Sequence, residues 1–126
     1  MIVTMNNQPI TVYAIANCDT VKKARAWLTA QGVDYEFHDF KKLGVPEAQL
    51  DAWIDAVGWE KLLNRKGNTW RGLDAATQSG AVDSVNTRQL ILLHSSVVKR
   101  PVVKWSDGQI TVGFDADAWK PLCQPA

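Results

Sequence analysis

The chain of 126 residues is poor in the residues that would commit it to metal, export or membrane. It has two cysteines and two histidines. Cys18 and Cys123 stand far apart, which excludes the disulfide framework of a small secreted domain. His38 and His94 have no partner at the spacing of a metal site, so both read as structural or surface residues. No apolar run approaches the roughly 20 residues of a membrane span. Neither sign of charge dominates: 14 Lys and Arg face 13 Asp and Glu, giving a net charge of +1. No global field therefore draws the molecule to nucleic acid or lipid, and neither is expected as a partner. Residues 1–9 read as a polar leader without a basic region or a long apolar stretch, so the expected compartment is the cytoplasm. There is no repeat, low-complexity tract or linker, and a single domain over 1–126 is expected.

What the chain does have is an ordinary globular composition, 46% hydrophobic and 21% charged. A chain of this size buries roughly two-thirds of its unfolded surface. Ile10 to Ile15 suits a buried strand. From Asp19 or Thr20 to Gln31, Val21, Ala24 and Leu28 recur at helical spacing, and Gly32 suits the position just past the helix. Val33 to His38 alternates Tyr35 and Phe37 against Asp34 and Glu36 and reads as a second strand. Strand, helix and strand within 30 residues predict a βαβ unit with parallel strands.

The middle, about 44–98, reads as helical. Pro46 stands where helices begin, and Leu50, Trp53, Ile54 and Val57 form an apolar stripe closed by Gly58. Short helices are expected over Trp59–Leu63 and Leu73–Gln78, with Asn64 to Thr69 as a polar loop between them. Ser84 is the expected cap of a further helix. Val102 to Trp105 and Gln109 to Gly113 then read as strands joined at Ser106-Asp107-Gly108, and Asp115 to Leu122 as a closing helix. Trp27, Trp53 and Trp59 fall on helical patterns and are expected to pack in cores. The order β-α-β, helices, β-β-α is that of a thioredoxin-like α/β fold: a mixed sheet with flanking helices and a helical segment inserted between strands 2 and 3.

Cys18 falls where the first strand hands over to the first helix. A thiol there lies beside the unpaired N–H groups of a helix start, which favour negative charge, and the thiolate is the nucleophilic form. Asn17, Asp19 and Thr20 make the segment polar and turn-like. Asp19 opposes thiolate formation, while Lys22, Lys23 and Arg25 offset it. In a thioredoxin-like order, an X-Pro before strand 3 meets such a cysteine, and Arg100-Pro101 stands there. A cis bond would turn the Arg100 backbone toward the thiol. The Arg100 guanidinium suits a bidentate contact with a carboxylate or oxyanion. Arg65 and Lys66 are either solvated charge or support for an anionic ligand. Cys123 is a candidate resolving thiol that nothing in the spacing demands.

Asn17-Cys18-Asp19-Thr20-Val-Lys-Lys-Ala, Leu63-Asn-Arg-Lys-Gly-Asn-Thr-Trp70-Arg, Lys99-Arg100-Pro101-Val102 and Val112-Gly113-Phe114 together resemble the arsenate reductase/Spx family, and within it the YffB-type branch of thiol reductases. The resemblance runs from about Ile10 to Leu122. It implies a thioredoxin-like fold with a helical insertion and a cytosolic thiol/disulfide reductase with no bound cofactor or metal. Glutathione would be its co-substrate and a small-molecule or protein disulfide its substrate. It implies Cys18 as catalytic nucleophile, with Asn17, Thr20, Lys22, Arg65, Lys66, Arg100 and Pro101 around substrate or glutathione.

The departures narrow this. Glutaredoxin-coupled arsenate reductases carry a histidine four residues before the cysteine and an arginine four after; here Ala14 and Lys22 stand there. The family's middle-loop arginine falls on Asn64, Arg65 or Lys66 according to alignment. A third arginine falls around Phe114-Asp115. Val21 replaces the second cysteine of the Cys-x-x-Cys switch of Spx regulators. Fewer guanidiniums weaken the capture of a tetrahedral oxyanion, and the intramolecular switch is absent. Reduction of arsenate or another oxyanion, and Spx-like docking on RNA polymerase, therefore rank below a glutathione-using reductase as alternatives.

Overall fold

A computed structural model describes residues 9–123; most of the leader expected over 1–9 lies outside them. The chain divides into two compact units. One runs up to Asp39 and resumes at Arg100, and the other is the continuous segment Phe40–Lys99.

The first unit is built on a four-stranded mixed sheet. Its strands are β1 (Ile10–Ala14), β2 (Tyr35–Asp39), β3 (Val102–Lys104) and β4 (Ile110–Val112), in the order β2-β1-β3-β4. The βαβ reading holds: β1 and β2 are parallel, with Ile10 beside Tyr35 and Ala14 beside Asp39. β3 runs antiparallel to β1, with Val12 opposite Val103, and β4 returns antiparallel to β3. β2 starts two residues later than its alternation suggested. Val33 is still held by the preceding helix, its N–H donating to the Leu28 carbonyl at 3.0 Å.

Two helices complete this unit, α1 (Asp19–Ala30) and a C-terminal helix, Ala116–Cys123. Side chains alternate across a strand, so Ile10, Val12 and Ala14 share one face, and Val103 joins them through its pairing with Val12. Val21, Ala24 and Leu28 of α1 and Trp119 of the last helix bury against that same face. The apolar spacing of α1 is thus explained by one sheet surface.

In the second unit, α2 (Phe40–Leu43), α3 (Glu47–Val57), α4 (Trp59–Leu62), α5 (Asn68–Arg71), α6 (Ala75–Gly80) and α7 (Ser84–Leu93) follow one another, and a 3-10 turn covers Ser95–Val97; the C-terminal helix is accordingly α8. Trp53 is fully buried and sits 6.1 Å from the Phe40 ring. The cap of α7 is Asp83 rather than Ser84: its carboxylate accepts from the Asn86 N–H at 2.8 Å, and Ser84 becomes the first helical residue. Asp74 caps α6 in the same way through the Thr77 N–H at 2.7 Å. Part of the polar loop expected over Asn64 to Thr69 is helical, since α5 opens at Asn68. Of the three tryptophans expected to pack in cores, Trp53 is fully buried, Trp27 is half-buried but packs against the sheet core, and Trp59 is half-buried.

Candidate active site

Cys18 occupies the N-cap of α1, with φ −146° and ψ 126°, and its carbonyl accepts the Lys22 N–H at 2.9 Å. The amides of the first turn have no partner within the helix, and the Cys18 side chain makes no capping hydrogen bond. Its polar neighbours suggested a loop position open to solvent. The thiol is instead half-buried against the edge of the core, while Asn17, Asp19, Thr20 and Lys22 around it are exposed. A half-buried sulfur at a helix start is reachable by a ligand and shielded on one side.

Arg100-Pro101 enters β3 at the same end of the sheet. β1 runs toward Cys18, and its Tyr13 pairs with Val102, so the residues just before β3 lie beside the segment leaving β1. The Arg100–Pro101 peptide is cis. Pro101 is buried, and its carbonyl accepts the Gly113 N–H at 2.9 Å, which fixes the turn out of β4 at this end too. Arg100 is half-buried, with its Nε out of contact with water. The first unit thereby gathers Asn17, Cys18, Thr20, Lys22, Arg100 and Pro101 around one end of one sheet.

Arg25 does not act as the cation near Cys18 that its helical spacing suggested. Its Nε donates to the Tyr35 hydroxyl at 3.0 Å, and its guanidinium carbon lies 4.0 Å from the Phe37 ring centroid. It is committed to β2.

Cys123 lies at the other end. Gly113 bonds Pro101 near Cys18, so α8, which follows two residues after Phe114, starts from that end. By Trp119 the helix has reached Trp105, ring to ring at 5.0 Å. Trp105 follows Lys104, which pairs with Thr11 near the start of β1. Cys123 is a further turn on, about 6 Å at 1.5 Å per residue. β1 alone separates the two ends by roughly 13 Å at 3.3 Å per residue, beyond the ~4.4–6.8 Å Cα separation of a disulfide. Both cysteines are free. Burial pushes the Cys123 thiol up from its ordinary value.

Arg65 and Lys66 belong to the second unit and are exposed there. The Arg65 guanidinium lies 5.9 Å from the Trp59 ring and 5.7 Å from that of Trp70. No sequence pattern signals this, because residues 59 and 70 meet only through the turn between α4 and α5. Asn64 is taken up by the fold: its N–H donates to the Val97 carbonyl at 2.8 Å, and its side chain fills the space a Cβ on Gly67 would need. No group of His, Cys, Asp and Glu among the described residues could hold a metal ion.

Known proteins resemble this arrangement along nearly its whole length. The solved structure of the protein YffB superposes with a TM-score of 0.86 at 39% identity, covering 91% of this chain and 99% of that one. An arsenate reductase (ArsC) related protein from Brucella melitensis is 46% identical, with a TM-score of 0.71 over 90% of this chain and 93% of its own. The global transcriptional regulator Spx of Streptococcus pyogenes is 22% identical over 110 residues, 86% of this chain and 80% of that protein. The ArsC family model matches residues 13–122, a span that takes in Cys18, Arg100 and Pro101, and the chain belongs to the ArsC family.

Proposed function

We propose that the protein is a cytoplasmic thiol/disulfide oxidoreductase that draws its electrons from glutathione, with Cys18 as the only cysteine in the cycle. The observation that carries this reading is the placement of the two thiols. Cys18 stands at a helix start beside the entry to β3, and Cys123 stands at the opposite end of the sheet. In the first step the Cys18 thiolate attacks one sulfur of an exogenous disulfide. The new S–S bond forms as the exogenous one breaks, and the departing thiolate takes the electron pair and then a proton. With no internal thiol in reach, a glutathione thiolate attacks the mixed disulfide and releases Cys18 as thiolate. That attack falls on the substrate-derived sulfur and leaves a glutathione–substrate disulfide. A second glutathione thiolate attacks its glutathione sulfur, forming oxidised glutathione and releasing the second substrate thiol, so two glutathiones supply the two electrons. Lys22 and Arg100 are cations suited to the glutathione carboxylates, the N–H groups of the α1 start stabilise the sulfur anion, and Asn17, Thr20 and Pro101 line the approach.

Incubation with oxidised glutathione followed by peptide mass analysis tests this. A glutathione adduct is expected on Cys18 and none on Cys123, with glutathione-dependent disulfide reduction abolished by Cys18→Ser. Disulfide reduction that survives Cys18→Ser would sink the reading. Turnover that requires arsenate would transfer it to oxyanion chemistry.

A further inference from the structure

The seam between α1 and β2 opens at the far end of α1 from Cys18. An open groove of about 440 Å³ is lined there by Thr29, Gly32, Val33, Asp34 and Tyr35. That volume falls in the range of small-molecule sites. Opposite charges stand close by, Asp34 in its lining and Arg25 on Tyr35 beside it.

Arg25 lies beside this lining rather than in it: it stands four residues before Thr29, on the same face of the helix, and bonds the lining residue Tyr35. Its guanidinium is pinned by the Nε bond to the Tyr35 hydroxyl and by the Phe37 ring 4.0 Å away. No described residue takes its Nη donors, and they are not among the buried, unpartnered atoms, so they face solvent. A fork held rigid with its outer edge open is suited to two acceptor oxygens of a carboxylate.

The lining itself is negative. α1 finishes there, with Gln31, Gly32 and Val33 donating back to Trp27, Thr29 and Leu28 at 3.0 Å each. A helix C-terminus carries partial negative charge that a Lys or Arg usually offsets, yet the last turn of α1 has no basic residue. Asp34 adds an exposed carboxylate that pairs with no cation among the described residues. Both features favour an ammonium.

We propose that this seam binds a small zwitterion, a molecule with a free amino group and a free carboxylate a few bonds apart, such as a short peptide with both ends free. Arg25 takes the carboxylate, and Asp34 with the α1 terminus takes the ammonium. The proposal is independent of the thiol chemistry, since none of these residues belongs to the Cys18 site.

The test is a titration of ¹⁵N-labelled full-length protein with glycylglycine, followed through the Arg25 Nε–H and the Gly32 and Asp34 amide signals. Acetate and methylammonium serve as single-charge controls. Saturable shifts are expected at all three positions with glycylglycine, and weaker ones with either control. Asp34→Asn, an exposed change that spares the fold, should weaken binding about tenfold, as should Arg25→Gln, while Cys18→Ser leaves it unchanged. Shifts that fail to saturate, or that survive Asp34→Asn undiminished, overturn the proposal whether or not Arg25→Gln folds.

Discussion

The two cysteines share a residue type and touch the same core, yet their settings make them chemically distinct. Cys18 sits beside unpaired helix amides at the end of the sheet where β3 begins. Cys123 sits in the last helical position of α8, where burial disfavours its charged form and raises its pKa. Since the thiolate is the reactive species, Cys123 should resist alkylation in the folded protein. With iodoacetamide at neutral pH, mass analysis should find Cys18 carboxamidomethylated first. Cys123 should label at a comparable rate only after denaturation or at alkaline pH. Equal native rates would mean that the apolar packing around Cys123 does not shield it. The same residue-level distinction separates Arg25 from Lys22: one cation is held on Tyr35 and Phe37 of β2, away from Cys18, and the other is exposed beside it.

Among the elements, α8 depends most visibly on one side chain. Trp119 meets Trp105, Phe114 and Trp27 edge-on at 5.0, 4.9 and 5.9 Å and is the buried anchor of an eight-residue helix. So short a helix is not stable alone, so its order rests on that contact. Trp119→Ala should cost about 3–5 kcal/mol, read as a lowered urea midpoint, with amide protection in α8 lost first. An effect under about 1 kcal/mol would mean that Phe114 and Trp27 close the gap. What the sequence made legible follows the same physics. α1 was readable because Val21, Ala24 and Leu28 must meet one sheet face and Gly32, at φ +71°, ends the helix. β1 and β3 were readable from apolar runs, and Arg100-Pro101 from its place before β3. α5 was not, because Asn-Thr-Trp-Arg carries no periodicity over a single turn. Ser84 and Asp83 are equally good caps on paper, and only the backbone chooses. Arg25 read as a cation offsetting Asp19 and Arg65 as solvated charge or anion support, since the rings that hold them come from other elements. The signal for Arg25 was present in the Tyr35 and Phe37 alternation, but pairing it with α1 needs the βαβ crossover to be built.

Across the whole molecule, alkaline pH is the expected point of weakness. Desolvation by burial raises the Tyr13 phenol, with a hydrogen bond from Thr11 opposing and Glu36 adding to the shift. Burial alone raises the Cys123 thiol. Both groups are neutral when protonated, so the folded state holds their protons more tightly than the unfolded chain does. A group raised on folding leaves stability intact below its unfolded pKa and removes it as pH rises through the folded value. The window opens near the ordinary thiol and phenol values, about 8.5 and 10. The urea midpoint should therefore be flat from neutrality to about pH 8 and fall above it. Tyr13→Phe should flatten the upper part of that fall and Cys123→Ala the lower part, because each removes one titrating group and keeps most of the apolar packing. A midpoint that rises with alkalinity would contradict the sign of both shifts. A fall left unchanged by the two substitutions together would overturn its assignment to Tyr13 and Cys123. Tyr13 lies in the central pair of strands, between Val102 and His38, so its ionisation acts on the sheet that carries Cys18. Loss of reductase activity should accordingly track the upper part of the unfolding profile rather than precede it.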